Sequence, residues 1–395
     1  MNAKLIGGIL LIVGTTIGGG MLALPIATSQ IGFVNSSLLL FGCWFVMTVS
    51  ALLILEVNLW FPRESNLISM ARATLGVGGQ ITAWIVYLLL LYSLLAAYIA
   101  GGGDFFRTLL MMLHINLQGG VASVLFAVLL GYIVYRGIRS IDLVNRVLMF
   151  IKLGTFVLLV ALVFSHVLPD NLSGGHIEYL SASITVAMTS FGFATIVPSL
   201  RVYFQDDVAK LRFAIFVGSL IPLVCYILWD ITIMGVIPRE GDNGLIAMLH
   251  SGRSTSEFVN ELSDLLQRDT ITVFARIFTS VCLATSFLGV ALCLSDFIAD
   301  GLQLEKTGKN KLIIHGATFL PPLLIVLFYP GIFISALSYA GIYCVILLIL
   351  LPAMMAWSGR YRKNMAKGYQ VIGGKPLLIG LMCIAVFIIG QSLFF

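Results

Sequence analysis

The stretch Gly14-Thr15-Thr16-Ile17-Gly18-Gly19-Gly20-Met21-Leu22-Ala23-Leu24-Pro25 lies inside an apolar run long enough to cross a membrane as one helix. Glycine in a helix interior costs about 1 kcal/mol relative to alanine, so three in a row weaken the helix where it should be strongest. Three readings are open. Gly14 and Gly18 form a small-xxx-small packing face. The small residues simply admit a neighbouring helix. Or the helix is broken, which leaves backbone N–H and C=O groups free at mid-membrane depth. Free backbone at that depth survives only where it lines a cavity or is buried in protein.

The rest of the chain sets the scene as a membrane. Of 395 residues, 59% are hydrophobic and 10% charged, against roughly 25% charged in soluble domains. Mean hydropathy is +1.04. Apolar runs predict eleven spans at 5–32, 35–61, 81–106, 121–138, 147–167, 178–200, 213–236, 270–299, 312–328, 331–351 and 376–395. Such runs cross a ~30 Å hydrocarbon core as helices and are too long for barrel strands. The expected class is an all-α integral membrane protein with eleven transmembrane helices. Eighteen of the 23 Lys and Arg fall in one alternate set of loops; Arg107, Arg239, Arg253 and Arg268 make up the other set. The positive-inside rule then puts the N-terminus in the cytoplasm and, after eleven spans, Phe395 on the opposite side. The net charge of +5 reflects this loop bias and not a nucleic-acid surface. Met1-Asn2-Ala3-Lys4 mimics a signal peptide, but the apolar run after it is too long, so it is expected to remain as the first span. The six cysteines lie in apolar runs without a CxxC pair and read as packing residues. No metal or cofactor is expected.

A second interruption changes the weight of the first. Met188-Thr189-Ser190-Phe191-Gly192-Phe193-Ala194-Thr195-Ile196-Val197-Pro198 lies in span six. Shifted by 173 positions, Thr16 meets Thr189, Gly19 meets Gly192 and Pro25 meets Pro198. Spans one and six are where two five-span halves begin, at 1–167 and 168–352, with a loop and a last span in 353–395. Five is odd, so the second half enters the membrane from the other side. Paired interruptions in corresponding helices of inverted repeats point to a secondary transporter's binding site. The N-terminus of a half-helix suits a carboxylate, and unwound carbonyls suit an ammonium or a cation. A zwitterionic amino acid carries both groups.

Several motifs carry a resemblance. GTTIGGGMLALP in span one and TSFGF with PSL (Thr189–Phe193, Pro198–Leu200) in span six resemble the hydroxy/aromatic amino acid permease family. So do ATSFLGVALCLSDFIAD (Ala284–Asp300) in span eight and TFLPPLLIVLFYPGIF (Thr318–Phe333) around span nine. The likeness lies within the amino acid–polyamine–organocation superfamily and is strongest toward tyrosine-specific permeases. It implies a LeuT-type 5+5 inverted repeat with broken helices one and six plus one extra C-terminal helix. It also implies proton symport of an aromatic amino acid, tyrosine before tryptophan, phenylalanine or a hydroxy amino acid, across a bacterial inner membrane, with the C-terminus periplasmic. The family motif SFGFHG reads Ser190-Phe191-Gly192-Phe193-Ala194-Thr195 here. Losing that histidine removes an obvious titrating group and places proton coupling elsewhere.

Candidate substrate residues are Thr15, Thr16, Gly18, Gly19, Gly20 and Met21 in span one and Ser190, Phe191, Gly192, Phe193 and Ala194 in span six. The glycine backbone would hold the amino acid's two charges, and Thr16 and Ser190 would add hydroxyls. Phe191 and Phe193 either pack on an aromatic substrate, worth roughly 0.5–1.5 kcal/mol beyond area, or pack only on protein or lipid. Tyr92 and Tyr98 of span three are six residues apart, so at most one faces the site. Lys152 lies five residues into span five, and intramembrane charges are costly and usually functional. By resemblance it stands where relatives bind sodium, near Thr285 and Ser286, and couples transport to protons; the alternative is a lysine snorkelling to the interface. Glu56 closes span two beside Arg63 and reads as interfacial or part of an inner gate, while Asp230 has no explanation in the sequence and its pairing with Arg276 has no support there. Within the loop 237–270, Ser254-Thr255-Ser256-Glu257 has capping-box spacing ahead of Phe258, Leu262, Leu265 and Leu266, predicting an amphipathic helix that is either a lid or merely solvated. Gly101-Gly102-Gly103-Asp104 matches the GxGD of intramembrane aspartyl proteases, but that chemistry needs a second aspartate in a Tyr-Asp pair, and the chain has none. An enzyme is not expected.

Overall fold

The computed structural model describes residues 3–251 and 254–394, and all regular elements among them are helical. Expectations that fall on Met1, Asn2, Arg253 and Phe395, and on the side chains of Arg139 and Ser254, lie outside the described residues. Ten helices are long and apolar enough to cross a membrane, and a bent pair makes an eleventh span. That pair is α1 (Ala3–Thr16) and α2 (Gly19–Ala27), with a bend of 51° between them. Next come α3 (Gly32–Leu59), α4 (Leu67–Met112), α5 (Gly119–Arg136) and α6 (Ile138–Phe164). The sixth span is α7 (Leu180–Ser190), a 3-10 turn (Gly192–Ile196) and α8 (Val197–Phe204). It is followed by α9 (Val208–Val236), the short α10 (Leu245–Ser251) and α11 (Ser254–Leu266), then α12 (Asp269–Gly301) and α13 (Gly308–Phe328). The tenth span is α14 (Phe333–Val345), a π turn (Ile346–Leu350) and α15 (Leu351–Tyr361), and α16 (Gly374–Phe394) is the last. Large apolar side chains such as Leu38, Phe150 and Phe387 face outward, as a lipid-facing wall requires.

The irregularities have local causes. Helix α4 begins fourteen residues before the expected 81. Asn66 and Ser69 form a capping box at its start, and Gly76 at φ +81° kinks the chain between this first turn-rich segment and the span proper. In the tenth span Pro352 has no N–H to give Leu348 O. The Ser50 hydroxyl of α3 donates to that carbonyl instead, and the π turn sits just before the proline.

The two ends of the bundle differ. At the basic end, Arg63 and Arg201 both donate to Asp206 and hold its carboxyl below the usual carboxylate range. Arg201 also donates to Asn58 O and Phe61 O. Glu56 is buried and pairs with Arg360 of α15, not with its sequence neighbour Arg63. The Val371 N–H donates to the same carboxylate at 2.7 Å, which ties the approach to α16 to α3. At the far end, the Gly32 and Gly175 turns press together at φ +75° and +109°, where a side chain on either would strike the other's backbone. There α11 is neither loose nor merely solvated. Its Phe258 and Leu262 are buried, and Phe258 meets the Trp229 ring at 5.7 Å. Asp104 accepts from the Thr255 hydroxyl at 2.9 Å and the Ser256 N–H at 3.1 Å. So the aspartate of the GGGD stretch caps a helix on another part of the chain.

Candidate functional site at the two helix breaks

Helix α1 runs out at Thr16, and Gly18 adopts an extended conformation (φ −163°, ψ −148°) before α2 begins. The carbonyls of Thr16 and Ile17 therefore point past the end of α1, where the helix dipole is negative. Both are met by buried donors from elsewhere. The Tyr226 hydroxyl of α9 lies 2.7 Å from Thr16 O, and Lys152 Nζ of α6 lies 2.6 Å from Ile17 O. The second break delivers its carbonyl to the same place: Ser190 O, at the end of α7, is also 2.7 Å from the Tyr226 hydroxyl. Phe191 sets its ring edge-on to Tyr226 with centroids 5.1 Å apart. The shift of 173 places Gly19 on Gly192, and each is the first residue of the element that follows its break.

The glycine triplet now has a physical account. Each glycine abuts a different helix. A Cβ on Gly18 would strike the Ser286 hydroxyl of α12, one on Gly19 would lie 2.6 Å from the Tyr98 ring of α4, and one on Gly20 would lie 2.9 Å from Ser190 Oγ of α7. The Gly19 N–H also donates to Ser286 Oγ at 2.8 Å. The break and the close approach of neighbours are both present in one segment.

The structure brings most of the sequence-predicted residues together. Lys152 is 1% exposed. Besides Ile17 O it lies 3.4 Å from Thr285 Oγ1, whose own proton goes to Val281 O or Cys282 O, so the threonine accepts from the lysine. The snorkelling alternative does not describe this side chain. Thr16, Met21, Tyr98, Ser190, Phe191, Phe193 and Ala194 are all buried, and Gly192 faces Cys344 of α14. The hydroxyls of Thr16 and Ser190 donate back to Ile12 O (2.6 Å) and Val186 O (3.0 Å), so toward a ligand they can only accept.

Two expectations need correction, and one unexplained residue gains a partner. Thr15 is exposed and its hydroxyl turns back to Leu11 O and Ile12 O, away from the cluster. Tyr92 donates to Ala317 O of α13 at 2.7 Å, which leaves Tyr98 as the tyrosine of the pair that reaches the breaks. Asp230 hydrogen-bonds Ser36 at 2.6 Å and does not pair with Arg276. Tyr226 was missed. Nothing in the apolar run Leu223-Val224-Cys225-Tyr226-Ile227 marks it beyond a polar-tipped ring at a buried depth.

A Tyr226→Phe variant keeps the ring and removes the donor shared by Thr16 O and Ser190 O. A buried acceptor left bare costs about 1–3 kcal/mol. Thermal unfolding of the purified variant should begin at a clearly lower temperature than wild type, and an unchanged transition would show that the hydroxyl holds neither carbonyl.

At the far end a cavity of about 200 Å³ lies between α2, α7, α10 and α14, lined by Ala27, Ala182, Leu249, Ser335 and Ser338 among others. Among the described residues no group of three or more His, Cys, Asp or Glu is placed to hold a metal ion.

Residues 1–392 match the tryptophan/tyrosine permease family. The chain is 35% identical to tyrosine-specific transport system 1 of Haemophilus influenzae, over 98% of this chain and 95% of that protein. It is 31% identical to a tryptophan-specific transport protein of Pseudomonas aeruginosa, over 97% and 93% of the two chains. It is also 31% identical to glutamine transporter 2 of Aliivibrio fischeri, over 97% and 98%.

Proposed function

The chain belongs to the tryptophan/tyrosine permease family, and we propose that it takes up an aromatic amino acid, tyrosine first, by proton symport across a bacterial inner membrane. The observation that carries this reading is the convergence of two broken helices. The carbonyl ends of α1 and α7 meet at Tyr226, with Lys152 on Ile17 O beside them, while the N-terminus of α2 starts one residue beyond Gly18. An ammonium suits Thr16 O and Ser190 O, a carboxylate suits the first-turn N–H groups of α2 beyond Gly19, whose own N–H is on Ser286 Oγ, and an aromatic side chain suits the rings of Phe191 and Tyr98. Ala194 leaves room where the family's histidine would protrude.

A LeuT-type inverted repeat, with halves at 1–167 and 168–352 and the remainder at 353–395, accounts for the contacts between corresponding spans. Helix α3 packs on α9, α4 on α12, α5 on α13, and α2 on α7. In each pair the second member is the fifth span after the first, as a pseudo-two-fold axis requires. Each half also inserts helix between its second and third spans: the segment before Gly76 in one, α10 and α11 in the other. Transport is by alternating access, with the N-terminus cytoplasmic, the C-terminus periplasmic and the far end facing outward. Lys152, with Thr285 and Ser286 beside it, takes the coupling role. Its ammonium replaces a bound cation against Ile17 O.

The test uses purified protein in liposomes with an acidic exterior. Labelled tyrosine should accumulate, collapse with a protonophore, and be displaced by unlabelled tyrosine more effectively than by tryptophan, phenylalanine, serine or glutamine. Uptake indifferent to the protonophore would overturn the proton reading. Stronger displacement by another amino acid would overturn the substrate. No uptake of any of them would overturn transport of this class.

A further inference from the structure

Away from the breaks, three hydroxyl or carboxyl contacts run in a line at the far end. Asp230 Oδ2 of α9 lies 2.6 Å from Ser36 Oγ of α3. Ser36 Oγ lies 3.0 Å from Thr28 Oγ1, the residue that ends α2. Thr28 Oγ1 lies 2.7 Å from Leu24 O inside α2. All three side chains are fully buried. A full two-centre hydrogen bond in each contact needs its own proton between the two oxygens, and each hydroxyl brings one. Two hydroxyl protons cannot fill three contacts. The line closes only if the carboxyl supplies the third, donating in the order Asp230 to Ser36 to Thr28 to Leu24 O.

We propose that Asp230 is a proton-binding site separate from Lys152, and that its proton fixes the direction of a hydrogen-bond relay clamping the end of α2 to α3 and α9. If the proton leaves, the relay must reverse. Thr28 then donates to Ser36, Ser36 donates to the carboxylate, and Leu24 O loses the Thr28 hydroxyl. Proton release at Asp230 thus loosens the half-helix beyond the first break without moving any heavy atom of the acid.

The surroundings favour the neutral acid. Asp230 Oδ1 is buried without a hydrogen-bond partner, a position costly for an ion and tolerable for an uncharged carbonyl oxygen. The elements packed on α9 are α1, α2, α3, α6, α8, the 3-10 turn Pro169–Leu172 and, at Trp229, α11 and α12, whose Arg276 does not pair with Asp230. Their charged and titratable groups are accounted for elsewhere. Lys4 lies over Tyr203, Glu56 is on Arg360, Lys152 on Ile17 O and Arg201 on Asp206. Cys43 is a free buried thiol, α2 carries no charge, and Asp170 could only add negative charge. Arg139, Asp142 and Arg146 lie within the first turns of α6 at the basic end, whereas Asp230 is about 33 Å along α9 from that end at 1.5 Å per residue. On α9 itself, Lys210 and Arg212 are also at the basic end, and Tyr226 serves the breaks one turn away.

Infrared difference spectroscopy of the full chain in liposomes, between neutral and strongly alkaline pH, reads this directly. The wild type should show the C=O stretch of a buried protonated carboxylic acid that is lost at alkaline pH and shifts in D2O. The band should be absent in Asp230→Asn. In Ser36→Ala, which keeps the acid and removes its partner, the band should persist at a changed frequency. No such band in the wild type, or a band retained in Asp230→Asn, would overturn the proton assignment. An unmoved band in Ser36→Ala would overturn the relay. None of these readouts depends on which amino acid is carried.

Discussion

Lys152→Gln should abolish accumulation driven by a pH gradient while leaving exchange of labelled for unlabelled tyrosine measurable. Glutamine can still donate to Ile17 O, now held by Lys152 at 2.6 Å, but it cannot take up or release a proton. One pH unit across the membrane is worth about 1.4 kcal/mol, a tenfold concentration ratio for one coupled proton. The wild type should approach that ratio and Lys152→Gln should stop at unity. Lys152→Ala removes charge and donor together. It leaves a bare carbonyl at a buried helix end, a loss of about 1–3 kcal/mol, so exchange should fall as well. The contrast separates the two contributions of one side chain. A Lys152→Gln protein that still concentrates tyrosine would remove the lysine from coupling and direct attention to Asp230.

The second large effect is expected at Gly18. Its extended backbone is open to any residue, so Gly18→Ala carries no conformational penalty and acts purely by collision with the Ser286 hydroxyl. Overfilling a tight junction costs about 1–3 kcal/mol, which corresponds to a loss of uptake rate on the order of ten- to hundredfold. Ser286→Ala alone should also impair uptake, because the Gly19 N–H loses its acceptor. In the double variant the remaining Cβ of residue 286 would lie 3.6 Å from the new methyl group, ordinary contact. The combination should therefore lose much less than the two single losses added together. Simple additivity would mean that close approach at Gly18 is unimportant and that the glycine serves only to break the helix.

Which parts of this were legible beforehand follows from the range of the forces involved. Spans are written in local composition, so all eleven were readable, as were both breaks, since glycine and proline act on their own backbone. The close approach at Gly18, Gly19 and Gly20 was one of three readings and could not be chosen without knowing what stood opposite. Partnerships across the chain were the weak point. Arg63 is seven residues from Glu56 in the sequence, yet Glu56 is held by Arg360, 304 residues away. Tyr226 gave no sign because a buried tyrosine in an apolar run looks the same whether it packs or braces. Thr15 and Tyr92 failed for a simpler reason. Membership of the right span does not fix the face, and on a helix one residue's step is a rotation of about 100°.

The Tyr226 hydroxyl has a consequence that concerns numbers of protons and not shape. It stands 2.7 Å from two carbonyl oxygens that belong to different broken helices, and it has a single hydrogen to give. At any instant Thr16 O or Ser190 O is underserved, or both share a weakened three-centre bond. The crossing of the two broken helices therefore presents more acceptors than Tyr226 has hydrogens to give. A guest bearing several N–H bonds would relieve the shortage and a guest bearing none would not. Selection for an amine over a neutral aromatic of the same outline could thus begin at this unsatisfied pair, before any side-chain pocket is consulted.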